Sequence, residues 1–320
     1  MQIFKYLRLS VALAGGLALA AVVFSAPATA QLIRIMSGPQ GGSWYPLAGA
    51  IQTIVEKNVP GTSVRVAPGA GISNVLGVQN NKAEMGFGNS VSSYDGVHGN
   101  DPFKSKTDNV CHIATLYFQY FHVVALADAG IKTVADINGK ILTTQQKGNT
   151  GEQMTRDVLK VYGLDYGKLR KVNFGSYNDS VEQMKDGHAQ VFALITTIPA
   201  SAVMDIGTSR KINVVAVPDD KLRALQKINK GYDKRIIKAG TYSGMDKDVQ
   251  TIGTWTHLMM RCSTPEDLVY QITKSLAANT SELGHVVAAV KGLTAKELAI
   301  DVGVPYHPGA RKFYREAKVL

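Results

Sequence analysis

Lys140-Ile141-Leu142-Thr143-Thr144-Gln145-Gln146-Lys147-Gly148-Asn149-Thr150-Gly151 is the stretch that decides the fold. Its first five residues are apolar and β-branched enough for a short strand, Gln145 to Thr150 is a loop, and Gly151 to Tyr162 has apolar residues at helical spacing. Thr150 and Gln153 stand three apart, the spacing of a capping box. The same unit then recurs. Leu169 to Phe174 reads as a strand, Ser176 to Lys185 as a helix entered through Ser176 and Asp179, and Ala189 to Ile195 as a strand. Thr196-Thr197-Ile198-Pro199 opens another helix, and Lys211 to Val217 is a strand closed by Pro218. Strands alternating with helices in this way give α/β layers with largely parallel sheets.

Working outward, the upstream segment follows the same rhythm. Leu32 to Met36 is a strand, Ser37 to Ser43 a glycine-rich loop, and Tyr45 to Val55 a helix with Pro46 in its first turn. Thr62 to Ala67 is a strand, Pro68 to Gly71 a turn, and Ile72 to Val78 a helix with Ser73 and Asn74 near its start. Ala83 to Phe87 is a strand leading into Gly88-Asn89-Ser90, and His112 to Leu126 suits one or two strands. Past Lys238 to Tyr242, Val249 to Met260 is a strand, and Pro265 to Asn279 and Thr294 to Asp301 are helices. The expectation is two α/β lobes. Residues 31–125 with 240–320 form the first and 126–239 the second, joined by short crossings.

Residues 1–30 read as a secretory signal: Lys5 and Arg8, an apolar run from Val11 to Phe24, and a small-x-small site at Ala28-Thr29-Ala30. That run is short for a membrane span, which takes about 20 apolar residues, so a secreted, periplasmic chain starting at Gln31 is expected. The formal charge of +10 becomes +8 without Lys5 and Arg8. A basic balance suits nucleic acid, membranes or anionic solutes. Export, and the lack of a basic stripe interleaved with aromatics, speak against nucleic acid. The richest basic stretch, Lys221 to Lys238, reads as a solvated helix face. Cys111 and Cys262 are the two cysteines. Export permits a bridge, but sequence does not bring them together, and burial as free thiols is common.

Chemistry is concentrated where strands run into small-residue turns at helix starts. A helix N-terminus leaves amides unpaired and carries partial positive charge, so it attracts carboxylates and phosphates. In open α/β sheets such turns lie at the carboxyl ends of strands, where ligands bind. Two lobes facing each other with these turns would trap a small anion. A bland reading stands beside it, because glycine, serine and proline are also what turns are made of. Around Gly148 the P-loop spacing is absent, and no Gly-x-Gly-x-x-Gly fingerprint occurs. Gly88-Asn89-Ser90-Val91-Ser92 is not a nucleophile elbow. No cysteine and histidine cluster has metal spacing, so neither metal nor cofactor is expected. A Ser/His site assembled only in three dimensions, making the chain an exported hydrolase or transferase, stays open.

The tail Val304-Pro305-Tyr306-His307-Pro308-Gly309-Ala310-Arg311-Lys312-Phe313-Tyr314 resembles the C-terminal signature of TAXI-type solute receptors, which serve one branch of the TRAP transporters. Leu116-Tyr117 with His122, the run Ile131 to Lys140, Lys185-Asp186-Gly187 and Ala239-Gly240-Thr241-Tyr242 are similar to further blocks of that family. The resemblance implies a two-lobed type II periplasmic binding protein with its ligand cleft between lobes. Such a receptor is not an enzyme, binds a small carboxylate or amino acid, and passes it to a TRAP-type permease. A sensory module of the same fold serving a membrane kinase is the alternative. A monomer is expected.

The resemblance also implies a ligand set. The first loop corresponds to Gly42, Ser43, Trp44 and Tyr45; a second turn to Asn89 and Ser90; the second-lobe turn to Lys147, Gly148, Asn149 and Thr150; a fourth to Thr196, Thr197 and Pro199. Tyr117 is a further aromatic wall. Two departures bear on the ligand. Val91 stands where the family places an acid able to hold an ammonium group, and Lys147 stands where proline is usual. Together they point to a carboxylate lacking an amine, such as a dicarboxylate or an oxo acid.

Overall fold

Gly71-Ile72-Ser73-Asn74 shows how the elements are laid down. Asn74, fully buried, donates to the carbonyls of Ser37 (2.6 Å) and Phe87 (2.9 Å) and accepts from the amide of Ala70 (3.0 Å). One side chain thus ties the start of a helix to the ends of two strands. The computed structural model describes residues 31–39 and 42–320. The expected export signal and its cleavage site lie outside the described residues, as does Gly41.

The first elements are β1 (Gln31–Met36), α1 (Trp44–Asn58), β2 (Thr62–Ala67), α2 (Gly71–Gln79), β3 (Met85–Asn89), α3 (Ser90–His98) and β4 (Val110–Leu126). Next come β5 (Ile141–Gln145), α4 (Thr150–Val161), β6 (Lys171–Gly175), α5 (Tyr177–Lys185), β7 (Val191–Thr196), α6 (Ser201–Gly207), β8 (Ile212–Val214), α7 (Asp219–Ile228) and β9 (Asp233–Ile237). The chain closes with β10 (Val249–Arg261), α8 (Glu266–Ala278), the short α9 (Thr280–Leu283) and α10 (Ala295–Leu298), and α11 (Pro308–Glu316). The segment read as one or two strands is a single 17-residue strand, β4.

The ten strands of the described residues belong to one mixed sheet of order β2-β1-β3-β10-β4-β7-β5-β6, with β8 on β4 and β9 on β10. The outer pairs β1·β2, β1·β3, β5·β6 and β5·β7 are parallel, as helical crossovers require. The two long strands β4 and β10 run antiparallel through the middle, and each changes core along its length. Ile113 and Leu116 of β4 and Leu258 and Met260 of β10 pack with α1, α8 and α11. Phe121 and Val123 of β4 and Ile252 of β10 pack with α4 and α7. The change falls beside the Tyr120–Gly253 pair.

One question the sequence left open is answered and one reading is corrected. Cys111 and Cys262 form a disulfide, with Cα atoms 5.1 Å apart, because β4 and β10 bring residues 151 apart in sequence into adjacent registers. The Thr150–Gln153 capping box does not form: Asn149 is the cap residue of α4 and makes no side-chain cap. Ser176 and Asp179, by contrast, make the capping box of α5.

The signature tail is a structural clamp. His307 accepts from the amide of Gly309 (3.1 Å) through Nδ1 and donates to the carbonyl of Thr264 (3.1 Å), capping α11. The buried Tyr314 hydroxyl donates to the carbonyls of Ile113 (2.7 Å) and Leu298 (3.1 Å).

Candidate functional site

One small chamber is lined by the starts of five helices: Ser43 and Trp44 of α1, Gly71 of α2, Asn89 before α3, Asn149, Thr150 and Gly151 of α4, and Tyr177 of α5. It encloses about 40 Å³ open to the centre of a water molecule. At about 10–15 Å³ per water this is room for roughly three. Gln119, Gln145, Ile195 and Thr196 complete its wall with Pro39 and Gly42, so no lining residue carries a formal charge.

Four of the five helix starts facing this chamber lack a side-chain cap, as do those of α6, α7 and α8 away from it. The cap residues Ser43, Ala70, Asn89 and Asn149 make no side-chain cap, whereas α5, α10 and α11 are capped by Ser176, Thr294 and His307. The polar caps are engaged otherwise. Ser43 Oγ lies 2.7 Å from the Tyr117 hydroxyl, Asn89 donates to Gln119 (3.3 Å), and Asn149 donates to the carbonyl of Gln146 (3.1 Å). Of the first-turn amides of these helices, that of Ile72 is taken by the carbonyl of Gly148 and that of Val91 by Thr254 Oγ1 (both 3.2 Å), while the others have no helical acceptor and no side-chain cap. In addition, α1, α2 and α3 carry no acid in their first turn. Several partial positive ends meet around one cavity.

The halves of the molecule touch across it. Thr150 donates to Ser92 at 3.0 Å, and the amide of Ile72 donates to the carbonyl of Gly148 at 3.2 Å. Gly148 itself takes a φ of 90°, a conformation that glycine adopts without strain. Gln153 of α4 donates to Asp95 of α3 at 2.5 Å. The side chains in capping-box spacing reach across to the other half.

Of the residues the sequence marked, Gly42, Ser43, Trp44, Asn89, Asn149, Thr150 and Thr196 stand together on the chamber wall. Tyr117 is behind it, fully buried; burial pushes its hydroxyl up to about 12. Ser90 is turned away, 2.8 Å from Thr254 Oγ1, and ties α3 to β10. Tyr45 is 40% exposed. Lys147 is exposed, its ammonium 5.2 Å above the ring of Phe174. Thr197 and Pro199 line a second, larger compartment of about 320 Å³ that shares Gly42, Ser43, Tyr177 and Thr196 with the chamber. Val91 is fully buried among apolar side chains.

Sequence reasoning passed over Gln119, Gln145 and Tyr177. Gln119 had a signal: it is a polar residue inside the apolar run of β4. Gln145 ends a strand directly before a marked loop. Tyr177 follows the Ser176 cap, and its hydroxyl donates to the carbonyl of Ile195 at 2.7 Å.

A serine and two histidines do come together in three dimensions. Ser93 Oγ is 2.8 Å from His257 Nε2, and His257 Nδ1 is 3.2 Å from His112 Nδ1. All three are fully buried, which leaves a substrate no surface to approach. Among the described residues no group of three acids, histidines or cysteines is placed to hold a metal, and no helix is long and apolar enough to cross a membrane.

Comparison with solved structures gives the fold. PhnD1 from Prochlorococcus marinus, solved with methylphosphonate, matches with a TM-score of 0.55 at 9% identity, over 92% of this chain and 100% of that one. R. palustris Rpa4515 with adipate matches with a TM-score of 0.52 at 14% identity, over 90% and 93%. An ancestral arginine-binding protein bound to arginine matches with a TM-score of 0.51 at 13% identity, over 82% and 100%. The shared fold is that of type II periplasmic binding proteins, with two lobes about a ligand cleft. A model of the NMT1-like family matches residues 35–317, nearly all of the described chain. The chain belongs to the NMT1-like family.

Proposed function

We propose that this protein is a periplasmic solute receptor that captures a small carboxylate lacking an amine, a dicarboxylate or an oxo acid, and delivers it to a TRAP-type membrane permease. The observation that carries this reading is the meeting of uncapped helix starts from both halves at one uncharged chamber. Converging amides bind an anion with directional hydrogen bonds and need no cationic side chain. An ammonium group finds no counter-ion there, since no acid lines the wall and Val91 fills the position where the receptor family places one.

The TAXI-like tail and the export signal read in residues 1–30 support a receptor working outside the cytoplasmic membrane. The two lobes, expected from the sequence as 31–125 with 240–320 and 126–239, would meet beside Tyr120 and Gly253, where β4 and β10 change core, and would close on the ligand by hinge motion there. The ligand-binding residues in this reading are Ser43, Asn89, Asn149, Thr150 and Thr196, with Trp44 as an aromatic wall. Calorimetry with glutamate and 2-oxoglutarate tests it. Binding of the oxo acid with little or none of the amino acid is expected, and tight binding of glutamate alone would overturn it.

A further inference from the structure

Two glutamines on the chamber wall have one end of the side chain committed and the other unused. Gln119 of β4 is 6% exposed, and its Oε1 accepts from the Asn89 side chain at 3.3 Å. Gln145, at the end of β5, is 8% exposed, and its Oε1 accepts from the amide of Ile195 at 3.2 Å. That oxygen also fills the space a side chain on Gly151 would take, which pins it at the first turn of α4. The Gln145 NH2 group finds no acceptor among the described residues. Gln119 also lies beside the Tyr117 hydroxyl, itself 2.7 Å from Ser43 Oγ, so its NH2 keeps at least one hydrogen for a ligand. Two N–H bonds of Gln145 and at least one of Gln119 thus stand beside the unpaired first-turn amides of α1 and α4. A carboxylate offers about four acceptor sites, and these donors outnumber them.

We infer that Gln119 and Gln145 set specificity: their NH2 groups donate to a 2-oxo oxygen next to the carboxylate that the helix starts hold. The inference rests on the carboxylate reading above and narrows it, choosing the oxo acid over the plain dicarboxylate. An oxo oxygen accepts without donating, so it satisfies these groups and leaves no hydrogen of its own unpaired. An ammonium group in the same place would bring donors to donors and a positive charge to partial positive helix ends. A methylene there would strand the buried NH2 groups without a partner.

A glutamic acid side chain at either position keeps the committed oxygen and turns the free end from donor to acceptor. Calorimetry of the parent, Gln119→Glu and Gln145→Glu with 2-oxoglutarate, glutarate and glutamate tests the assignment, with thermal unfolding as the check on folding. In the parent, 2-oxoglutarate is expected to bind at least about tenfold tighter than glutarate, the size of one hydrogen bond lost at a buried donor. In each acid variant the ratio of 2-oxoglutarate to glutamate affinity is expected to fall at least about tenfold. Gln119→Met and Gln145→Met, near in length and uncharged, are expected to erase the preference for 2-oxoglutarate over glutarate even where the acid variants unfold. Glutarate binding the parent as tightly as 2-oxoglutarate would overturn the oxo position and leave the carboxylate reading standing. Preferences unchanged in the acid and methionine variants would overturn the role of the glutamines. No binding of either diacid by the parent would remove the carboxylate reading and this inference together.

Discussion

Gln153 of α4 donates its side-chain amide to the carboxylate of Asp95 on α3 at 2.5 Å, with both side chains buried. The two helices follow strands from opposite outer parts of the sheet, so this bond spans the cleft. Burial raises the pKa of Asp95 from its ordinary value, although Asn100, Asn229 and Gln153 donate to it. If the halves open and close as proposed, in Gln153→Ala the carboxylate would lose a partner in the closed form and regain water when the cleft opens. The cost, about 1–3 kcal/mol for an orphaned buried group, falls on closure more than on folding. The expected outcome is ligand affinity at least fivefold weaker with a melting temperature within a few degrees of the parent. Calorimetry and thermal unfolding check it, and equal losses in both would refute a role in closure.

The buried histidines set the response to acid. Burial holds His122 and His257 at about 4, below the ordinary 6.5, and burial with the neighbouring His257 lowers His112 well below it. A histidine that is neutral when folded and protonated when unfolded costs stability as pH falls from about 6.5 towards 4. The cost is about 3 kcal/mol for each shift of this size. Asp157 has the opposite sign. Burial raises it to about 6, so folding gains as pH falls from 6 towards its unfolded value near 4. Three histidines outweigh that gain. Urea unfolding at pH 7 and pH 5 is expected to show lower stability at pH 5, and a rise on acidification would contradict the histidine assignment.

The Cys111–Cys262 bridge closes a loop of 151 residues that contains nearly all of β4 and all of β5 to β10. Cross-linking so long a loop restricts the unfolded chain strongly, up to about 5 kcal/mol in the loop-entropy account. Cys111→Ser with Cys262→Ser is expected to lower the melting temperature by several degrees or more. Because the bridge joins neighbouring strands away from the chamber, ligand affinity at 20 °C should stay within about twofold. A variant that melts like the parent would show that the bridge contributes nothing.

Much of this architecture was legible in the residues. Strand and helix periods differ, so the alternation from Lys140 to Ile195 announced α/β layers. Ser176 and Asp179 announced a helix start that forms as read. Long-range pairing was not legible. Nothing local in Val110–Leu126 or Val249–Arg261 says that they lie side by side, and from that pairing follow both the continuous sheet and the disulfide. At the site, the turn at Asn149 was readable as a helix start, but where its side chains point depends on the facing half. Thr150 and Gln153, spaced to cap their own helix, instead reach Ser92 and Asp95. Lys147, one residue from the turn's glycine, swings out over Phe174. Gln119 and Gln145 enter the wall because the sheet places distant strands together.

Gly71 is where the closed state can be separated from the folded state. It is the first residue of α2, and a Cβ built on it would fall on Thr150 Oγ1 and come within 3.2 Å of Asn89 Oδ1. Thr150 belongs to the facing half, so under the proposed hinge motion this collision would exist only while the cleft is shut. In the open protein an alanine there sits in ordinary helical backbone, and alanine favours a helix over glycine by up to about 1 kcal/mol. Gly71→Ala should therefore melt at or slightly above the parent temperature without ligand. With 2-oxoglutarate at a saturating concentration the parent should gain stability through mass action, whereas Gly71→Ala should gain little, because binding without closure leaves the helix starts unmatched. Thermal unfolding with and without the acid measures both. A full ligand-induced shift in Gly71→Ala would mean that the two halves need not meet at Gly71 and Thr150 to hold the anion.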